Sequence, residues 1–360
     1  MKTTLYQIIL QSAKKACELQ SETGAMPAGH NGLYKDKETP VRNTSHWLIT
    51  FIKAYGIQAD PVLKNAAKKA LFYLMSQDAR PQKYTFWHRD VPGKDKCNGM
   101  MGQAWTIEAL VEAALFFDDE SPLKLAEEVF LLHAFDKQAS LWHRLDIDGT
   151  DLSFDLTFNH QLWFAAAGGL LSKVSHLKEV GVSVSHFMEQ LPQLLNIYES
   201  GLIYHLLNTD PPMKRVIKSL LKPLPKYRKH EAALHYKAIG YHSFNMYAFG
   251  LLKGVYKNNA FWQLGKFRGT LDYLYSEEYK QAVLDNIYAY PYNPPGFEVP
   301  FAQEAFDNIS SREKAYWVNS QLRHGFSFKE KLFSKGSEDS HTASARLYEA
   351  TRLSDIEVDL

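Results

Sequence analysis

The chain has 360 residues, of which 45% are hydrophobic and 13% aromatic, and its formal net charge is +1. A near-neutral chain has no electrostatic reason to take nucleic acid as its main partner, and Cys17 and Cys97 are too few for a disulfide framework or a zinc site. No apolar run approaches the roughly 18 residues of a membrane span, and the N-terminal segment lacks a signal-peptide cleavage site. We therefore predict a cytoplasmic protein without a cofactor or a bound metal.

Six predicted helices have the amphipathic pattern of a surface helix, with one apolar stripe. In chain order they lie at about 4 to 22, 60 to 77, 122 to 136, 184 to 200, 258 to 279 and 311 to 323. Two of them start with an N-cap residue followed by proline, at Asp60-Pro61 and Ser121-Pro122. We call these six the outer helices.

The other six predicted helices are apolar on their sides and polar only in their first turn. They lie at 43 to 54, 98 to 114, 157 to 171, 240 to 254, 297 to 306 and 339 to 351. A helix that is apolar all round is buried, so only its polar start is expected to reach water. We call these six the inner helices.

The inner helices repeat along the chain. Trp47, Trp105 and Trp163 are 58 residues apart, and Tyr247 follows a further 84 residues on. A polar residue stands two positions before each of these aromatics: Ser45, Gln103, Gln161 and Asn245. A fixed period of this length is typical of repeat architectures, and alternating outer and inner helices can bury the apolar six only in a closed ring. The sequence therefore predicts one all-α domain over residues 1 to 360, an (α/α)6 toroid with short β-hairpins over its mouth.

Short segments with β character follow most of the outer helices. They lie at 32 to 36, 85 to 90, 140 to 144, 201 to 205 and 325 to 329. Two of them share the tripeptide Trp-His-Arg, at 87 to 89 and at 142 to 144. If these segments form hairpins over the mouth, their side chains lie beside the polar starts of the inner helices.

One unit exceeds the period, through a basic insertion at 205 to 238 between the third and fourth inner helices. Within it, residues 211 to 230 carry seven lysines and arginines and no acidic residue. Such a segment could make a peripheral contact with a membrane or with an anionic substrate carrier. A solvated surface insertion explains the same charges equally well, so we leave both interpretations open.

Seven histidines fall at the predicted mouth: His30, His46, His88, His143, His160, His242 and His341. A single histidine at a helix start is more often a capping or packing residue than a catalytic one. The set nevertheless favours a functional pocket, because imidazoles titrate near neutrality and act as acids, bases or hydrogen-bond donors. We expect His46, His88, His143, His160 and His242 to line one cavity.

The same end is rich in side chains that suit a sugar. Aromatic rings that could stack on a sugar face are Trp47, Trp87, Trp142, Trp163 and Tyr241, and amides that could bind its hydroxyls are Asn43, Gln103, Asn159, Gln161 and Asn245. A uronate carboxylate or a phosphate could be bound by Arg42, Arg89 and Arg144. Substrate binding is also assigned to His30, His88, His143 and His341. Trp47, Trp105 and Trp163 are equally well explained as core spacers, and for Trp105 that is the better interpretation.

Acid–base catalysis is assigned to Glu298, Asp90, Asp155, His160, His242 and His46. Glu298 follows Phe297 in a proline-rich segment, and apolar surroundings raise the pKa of a carboxyl group toward the range of a general acid. The structural alternative is that Glu298 caps its helix or pairs with Arg89 or Arg144. Asp90 with Glu298 or Asp155 could form the carboxylate pair, about 5 to 10 Å apart, that glycoside hydrolysis usually needs.

Several long motifs resemble a known protein family. They are GHNGLYKDKETPVRNTSHW at 29 to 47, NGMMGQAWTIEAL at 98 to 110, TFNHQLWFAAAG at 157 to 168, IGYHSFNMYAFGLL at 239 to 252 and YNPPGFEVPF at 292 to 301. With them the chain resembles, over nearly its whole length, the AglQ/VpsJ-type proteins of surface-glycan and exopolysaccharide clusters. The resemblance implies a six-hairpin glycosidase-like fold and a role in glycan assembly.

These observations predict a carbohydrate-active enzyme of surface-polysaccharide or glycan biosynthesis. Its substrate would be a sugar or uronate unit, free or linked to a lipid or nucleotide. Epimerisation or isomerisation is favoured, because the mouth is richer in histidines than in carboxylates. The first alternative is a glycoside hydrolase or lyase that edits the glycan, and the second is a non-catalytic glycan-binding subunit.

Overall fold

The computed structural model describes residues 2–207, 225–307 and 309–359. Its inner helices follow the predicted order. They are α2 (Val41–Ile57), α4 (Gly99–Phe117), α6 (Phe158–Ser172), α8 (Pro225–Val255), α11 (Pro295–Phe306) and the short α13 (Ser340–Ala345), which a 3₁₀ helix at Arg346–Arg352 continues. The outer helices are α1 (Leu5–Cys17), α3 (Pro61–Leu74), α5 (Glu120–Leu132), α7 (Lys178–Leu194), α9 (Gly265–Tyr275) with α10 (Glu277–Ala282), and α12 (Ser311–Gly325).

The inner helices close into a ring. Helix α2 packs on α4, α4 on α6, α6 on α8, and α8 on α11. The 3₁₀ helix at Arg346–Arg352 packs on both α11 and α2 and so completes the ring. Nearly every residue of α4 and α6 is buried, whereas α3 and α5 bury one side only. This difference confirms the predicted (α/α)6 toroid, because a helix in the inner ring is enclosed by neighbours on all sides.

Small residues let the two rings approach each other closely. A Cβ atom on Gly168 of α6 would lie 2.4 Å from the ring of Phe130 on α5. On the opposite side of α6, Trp163 stacks on Phe244 and Tyr247 of α8, with ring centroids 4.6 and 5.6 Å apart. The alternation of small and aromatic side chains thus sets the spacing between helices.

The predicted hairpins are only partly formed. Strands β2 (Phe135–Asp136), β3 (Leu141–Leu145) and β4 (Asp151–Phe154) make a three-stranded antiparallel sheet. Isolated bridges join Glu38 to Arg89, Thr157 to Leu206, Ile197 to Ile203 and Ser327 to Leu332. The expected β segment at 32 to 36 is instead a 3₁₀ helix, Gly32–Tyr34, flanked by residues with positive φ. The chain ends meet where β1 (Lys2–Thr4) pairs with β5 (Glu357–Asp359).

Several predicted boundaries need correction. Helix α8 begins at Pro225, not near 240, so residues 225 to 238 of the predicted insertion belong to an inner helix. Helix α5 is capped by Asp119, whose side chain accepts a hydrogen bond from the Ser121 amide, so Ser121 is not its N-cap. The sixth inner helix is short and continues as a 3₁₀ helix.

The basic segment at 211 to 230 lies mostly outside the described residues, which resume at 225. In the described ranges, no helix is both long enough and apolar enough to cross a bilayer.

Candidate functional site

A cavity of about 310 Å³ opens at the end of the ring where the inner helices begin. Polar first turns that were predicted to meet water supply part of its wall, because the starts of α2, α4 and α6 meet there with the middle of α8. The lining side chains from the inner ring are Arg42, Asn98, Met101, Trp105, Asn159, His160, Lys237, Tyr241, Phe244, Asn293 and Arg346. Loops contribute Asn31, Tyr34, Asp36, Arg89, Lys94, Thr157, His205 and Tyr292.

A histidine held by a buried aspartate stands on this wall. Asp155 precedes α6 and His160 lies in its first turn, which places the His160 Nδ1 atom 2.6 Å from the Asp155 Oδ2 atom. Burial would raise the pKa of Asp155, but the His160 ring and hydrogen bonds from the Thr157 and Met100 amides outweigh it and hold that pKa well below its ordinary value. An ionised Asp155 keeps the proton of His160 on Nδ1. The Nε2 atom of His160 is then free to accept a proton.

Gly99, at the start of α4, makes room for this pair. Its φ angle is +59°, and a Cβ atom there would lie 2.4 Å from the Asp155 Oδ2 atom and 2.7 Å from the His160 Nδ1 atom. The position therefore requires glycine for two reasons, the backbone conformation and the contact with the Asp155–His160 pair.

We expect Gly99→Ala to lower activity at least about 10-fold, because a 1 Å shift of a catalytic group can cost more than that. A matched control is Gly93→Ala, at a φ of +77° with no atom within 4 Å of the added Cβ. Both variants should lose about 1 to 2 kcal/mol of unfolding free energy from the left-handed backbone, measured by urea denaturation. Equal activity of the two variants would show that the contact with the pair is unimportant.

A second histidine, His205, lines the same cavity. Its Nδ1 atom is buried without a hydrogen-bond partner among the described residues. Burial, with the nearby charges of Lys237 and His160, lowers its pKa to about 3. His205 is therefore a neutral imidazole at physiological pH, able to donate or accept a hydrogen bond within the cavity.

Tyrosines and a lysine form another part of the cavity wall. The hydroxyl oxygens of Tyr34 and Tyr241 are 3.0 Å apart, and Tyr241 also donates to the Tyr292 hydroxyl at 3.5 Å. The Lys237 ammonium stands 5.3 to 5.7 Å from the ring centroids of Tyr34, Tyr241 and Tyr288. The cavity thus has aromatic faces beside cationic and hydrogen-bonding groups.

Most cations of the wall have carboxylate partners. The ion pairs are Arg42 with Glu38 at 3.0 Å, Arg89 with Asp95 at 2.7 Å, Lys94 with Asp36 at 2.6 Å, and Arg346 with Glu298 and Glu349 at 2.9 and 2.6 Å. Of these acids, only Asp36 is itself on the wall.

Glu298, predicted to be the general acid, is not placed on the cavity wall. It is fully buried in α11, where it accepts hydrogen bonds from Arg346 at 2.9 Å and from the Ser243 hydroxyl at 2.6 Å. Burial and the nearby Glu349 carboxylate raise its pKa well above the ordinary value. The expected rise in pKa is present, and its largest cause is burial; the Glu349 carboxylate adds to it, whereas Arg346 and the Ser243 hydroxyl oppose it.

Three other predicted catalytic residues also lie away from the cavity wall. His46 is buried, stacked on Tyr348 with a centroid distance of 4.1 Å. The His242 Nε2 atom lies 3.0 Å from the Thr270 carbonyl oxygen, and burial lowers its pKa to about 4. Asp90 pairs at the surface with Lys37. Of the five histidines expected to share one cavity, His160 alone lines it, because the other four side chains turn toward neighbouring elements.

Two predicted sugar-binding amides hold the backbone instead. The Gln103 side chain accepts from the Phe86 amide at 2.8 Å and donates to the Phe86 carbonyl at 3.1 Å. The Gln161 side chain makes the same pair of bonds with Trp142, at 3.0 and 2.8 Å. The glutamines two positions before Trp105 and Trp163 therefore fix the preceding loops to the inner ring.

The tryptophans named for stacking serve packing roles. Trp142 and Trp163 are 1% exposed, and the Trp163 indole donates to the Phe244 carbonyl at 3.2 Å. Trp47 stacks on Phe51. The Trp87 indole donates to the Arg89 carbonyl oxygen. The interpretation as core spacers thus describes Trp47 and Trp163, whereas Trp105 lines the cavity; Trp142, predicted to stack on a sugar, is also buried in the core.

Three predicted binding histidines have other partners, and a fourth is exposed. His88 is buried with its Nε2 atom 3.1 Å from the Thr106 hydroxyl, and His143 bonds Asp151 on the hairpin. The His30 ring nitrogens lie near the carbonyls of Gly32 and Glu338, and His341 is exposed.

Three other polar residues that were predicted to bind substrate lie outside the cavity wall. Asn43 donates to the Pro27 carbonyl, Arg144 donates to the Leu152 carbonyl, and Asn245 is buried. Of the predicted binding residues, Arg42, Arg89, Asn159 and Tyr241 line the cavity.

The prediction missed several cavity residues, chiefly Lys237, His205, Tyr34 and Arg346. Lys237 lies one helical turn before Tyr241, so extending the fourth inner helix backward would have revealed it. His205 and Tyr34 are in loops, where no periodic pattern marks a side chain that faces the cavity. In the described part of the chain, no three histidines, cysteines or carboxylates come together as ligands of a metal ion.

The fold and the polar cavity place the molecule among the (α/α)6 toroids of six-hairpin type. Similar solved structures include a cellobiose 2-epimerase from Bacillus thermoamylovorans B4167, with a TM-score of 0.63 and 12% identity over 94% of this chain and 96% of that one. A D-mannose isomerase has a TM-score of 0.62 and 12% identity over 97% of each chain. The alpha-1,6-mannanase of Salegentibacter sp. HEL1_6 has a TM-score of 0.60 and 11% identity over 96% and 98%. At such low sequence identities, these structural similarities establish the fold alone.

The sequence narrows this class to one family. The chain is 45% identical over 370 residues to archaeal glycosylation protein Q of Haloferax volcanii, covering 99% of this chain and 100% of the relative. It belongs to the archaeal glycosylation protein Q family. No protein-family model matches the chain.

Proposed function

We propose that the protein is a carbohydrate-active enzyme of glycan processing that epimerises or isomerises a sugar in the cavity. The observation that carries this proposal is His160 on the cavity wall, held by the buried Asp155 with a Nδ1–Oδ2 distance of 2.6 Å. The printed name of the Haloferax volcanii relative supports a role in glycosylation. The similar folds of a sugar epimerase and a sugar isomerase are consistent with the reaction.

His160 is the proposed base. In an open-chain sugar, its Nε2 atom would remove the proton from the carbon beside the carbonyl group, and the electrons of the broken C–H bond would form an enediolate. The ionised Asp155 stabilises the imidazolium that results, in the manner of a catalytic carboxylate–histidine pair. If the proton returns to the opposite face of that carbon, the product is the epimer. If the proton is delivered instead to the former carbonyl carbon, and a second proton moves between the two oxygens, the product is the isomer.

Other groups on the wall would support the intermediate. The enediolate carries negative charge on oxygen, which the guanidinium groups of Arg42 and Arg346 can stabilise. His205, neutral because its pKa is lowered to about 3, can donate or accept a hydrogen bond at a sugar oxygen. The aromatic faces of Tyr241 and Trp105 offer apolar surface for the ring or chain of the sugar.

Glycoside hydrolysis is less well supported by the same geometry. Among the described residues, Asp36 is the one carboxylate on the wall, and it is already paired with Lys94 at 2.6 Å. Asp155 is committed to His160 and to two backbone amides. A hydrolase normally needs two carboxyl groups that face the substrate.

The test is proton exchange with solvent. The purified protein would be incubated in D₂O with a panel of reducing hexoses, ketoses, uronic acids and oligosaccharides, and followed by proton NMR. We expect deuterium to enter at the carbon beside the carbonyl group of the substrate, together with formation of an epimer or isomer. Release of free sugar from an oligosaccharide, with no deuterium on carbon, would overturn the proposal in favour of a hydrolase.

A further inference from the structure

Lys237 is the exception to the charge balance of the cavity wall. The other four wall cations, on Arg42, Arg89, Lys94 and Arg346, each have a carboxylate within 3.0 Å. Lys237 has no carboxylate within 4.0 Å in the part of the chain that the structure describes. The wall therefore carries an unbalanced positive charge at this position.

The surroundings of Lys237 are too apolar for an ordinary surface lysine. It is half-buried, with the rings of Tyr34, Tyr241 and Tyr288 around its ammonium at 5.3, 5.5 and 5.7 Å. Burial lowers the pKa of Lys237. Aromatic faces compensate only part of the cost of taking an ammonium out of water, so an anion bound beside Lys237 would be favoured.

A second wall cation also has unused hydrogen-bond donors. Arg42 is 1% exposed, and its Nη1 atom serves Glu38 and Asn31. Its Nε and Nη2 atoms are buried without a partner among the described residues. Buried polar groups are normally hydrogen-bonded, so these donors are available to oxygen atoms of a ligand in the cavity.

We propose that the substrate carries an anionic group, a carboxylate or a phosphate, which binds at Lys237 beside the tyrosines. This inference rests on the proposed function, because it names the class of sugar that the cavity accepts. A sugar acid and a sugar phosphate would satisfy the same lysine, so the test separates the two.

The test compares matched ligands by isothermal titration calorimetry: glucose, glucuronate and glucose 6-phosphate, then the mannose series, with inorganic phosphate alone as a further probe. The wild type should bind at least one anionic member about 10-fold or more tightly than the neutral sugar, as expected for a charge-assisted hydrogen bond. Lys237→Met should abolish that preference, while Lys237→Arg should keep part of it. Preference for the acid or for the phosphate identifies the source of the charge.

A matched control is Lys53→Met. The Lys53 ammonium also lies over a tyrosine ring, 4.4 Å from the centroid of Tyr6, but outside the cavity. This variant should retain the anion preference, and the melting temperature of each variant checks folding.

The inference and the proposed function can fail separately. Equal affinity for neutral and anionic ligands, or no detectable binding of any of them, would overturn the anion subsite even if deuterium exchange occurs. A Lys237-dependent anion preference without deuterium exchange for any bound sugar would keep the subsite and overturn the proposed reaction.

Discussion

Replacing His160 by glutamine should lower turnover roughly 10²- to 10⁴-fold, the usual contribution of a general base. Glutamine retains polarity at the cavity wall but cannot accept the substrate proton. Asp155→Asn should have a comparable effect, because an amide that donates to Nδ1 would move the imidazole proton to Nε2. The measurement is the rate of deuterium exchange into the substrate found with the panel of sugars.

His143→Gln is the matched control for His160→Gln. His143 is likewise bonded to an aspartate, with its Nδ1 atom 2.8 Å from the Asp151 carboxylate, but this pair stands on the hairpin away from the cavity wall. Its replacement should leave exchange within about 2-fold of wild type, because it removes no group that the cavity uses. If His160→Gln keeps wild-type exchange while both proteins are folded, another group must be the base.

Replacing Arg346 by methionine should cost about 3 to 5 kcal/mol of unfolding free energy, the typical penalty for removing one partner of a buried ion pair. Arg346 is 3% exposed and neutralises Glu298 and Glu349, both fully buried. The loss would be measured by urea denaturation at pH 8.

The cost of Arg346→Met should shrink as the pH is lowered. Without the guanidinium, the folded-state pKa values of Glu298 and Glu349, already raised by burial, would rise further above their unfolded values. A group with a raised folded pKa stabilises the protein below its unfolded pKa, and that contribution is lost as the pH rises through the folded pKa. The variant should therefore lie closer to wild type at pH 5 than at pH 8.

Glu298→Gln is the companion variant. Its amide can still accept from Arg346 and donate to the Ser243 hydroxyl, and Glu349 remains to balance the arginine. We expect a loss below about 1.5 kcal/mol, the contribution of one hydrogen bond, with exchange activity retained. A 10²-fold fall in exchange, with unfolding unchanged, would instead restore the role of general acid that the sequence suggested for Glu298.

The ring itself could be read from the sequence. The spacing of Trp47, Trp105 and Trp163 marks equivalent positions of successive inner helices, and each lies where predicted, on α2, α4 and α6. Apolar periodicity is a local property that encodes burial, because an enclosed helix must be apolar on every side. The polar first turns likewise indicated correctly which end of the ring holds the cavity.

The sequence could not decide which polar side chains face that cavity. His46 is the sixth residue of α2 and His160 the third residue of α6, and His46 stacks on Tyr348 while His160 lines the cavity beside the buried Asp155. Each residue turns the side chain by about 100° around a helix, so a shift of a few positions, or a small rotation of the helix, decides whether a side chain faces the cavity or a neighbouring element.

Only the tertiary structure also joins distant parts of the chain. Tyr34, Lys237 and Arg346 lie on one wall because the ring brings the first, fourth and sixth units together. Neither the ion network that holds Glu298 nor the unbalanced charge at Lys237 follows from local sequence, since each depends on which opposite charges reach within 4.0 Å after the ring has closed. Burial is encoded locally along each helix, whereas the pairing of charges is decided by ring closure.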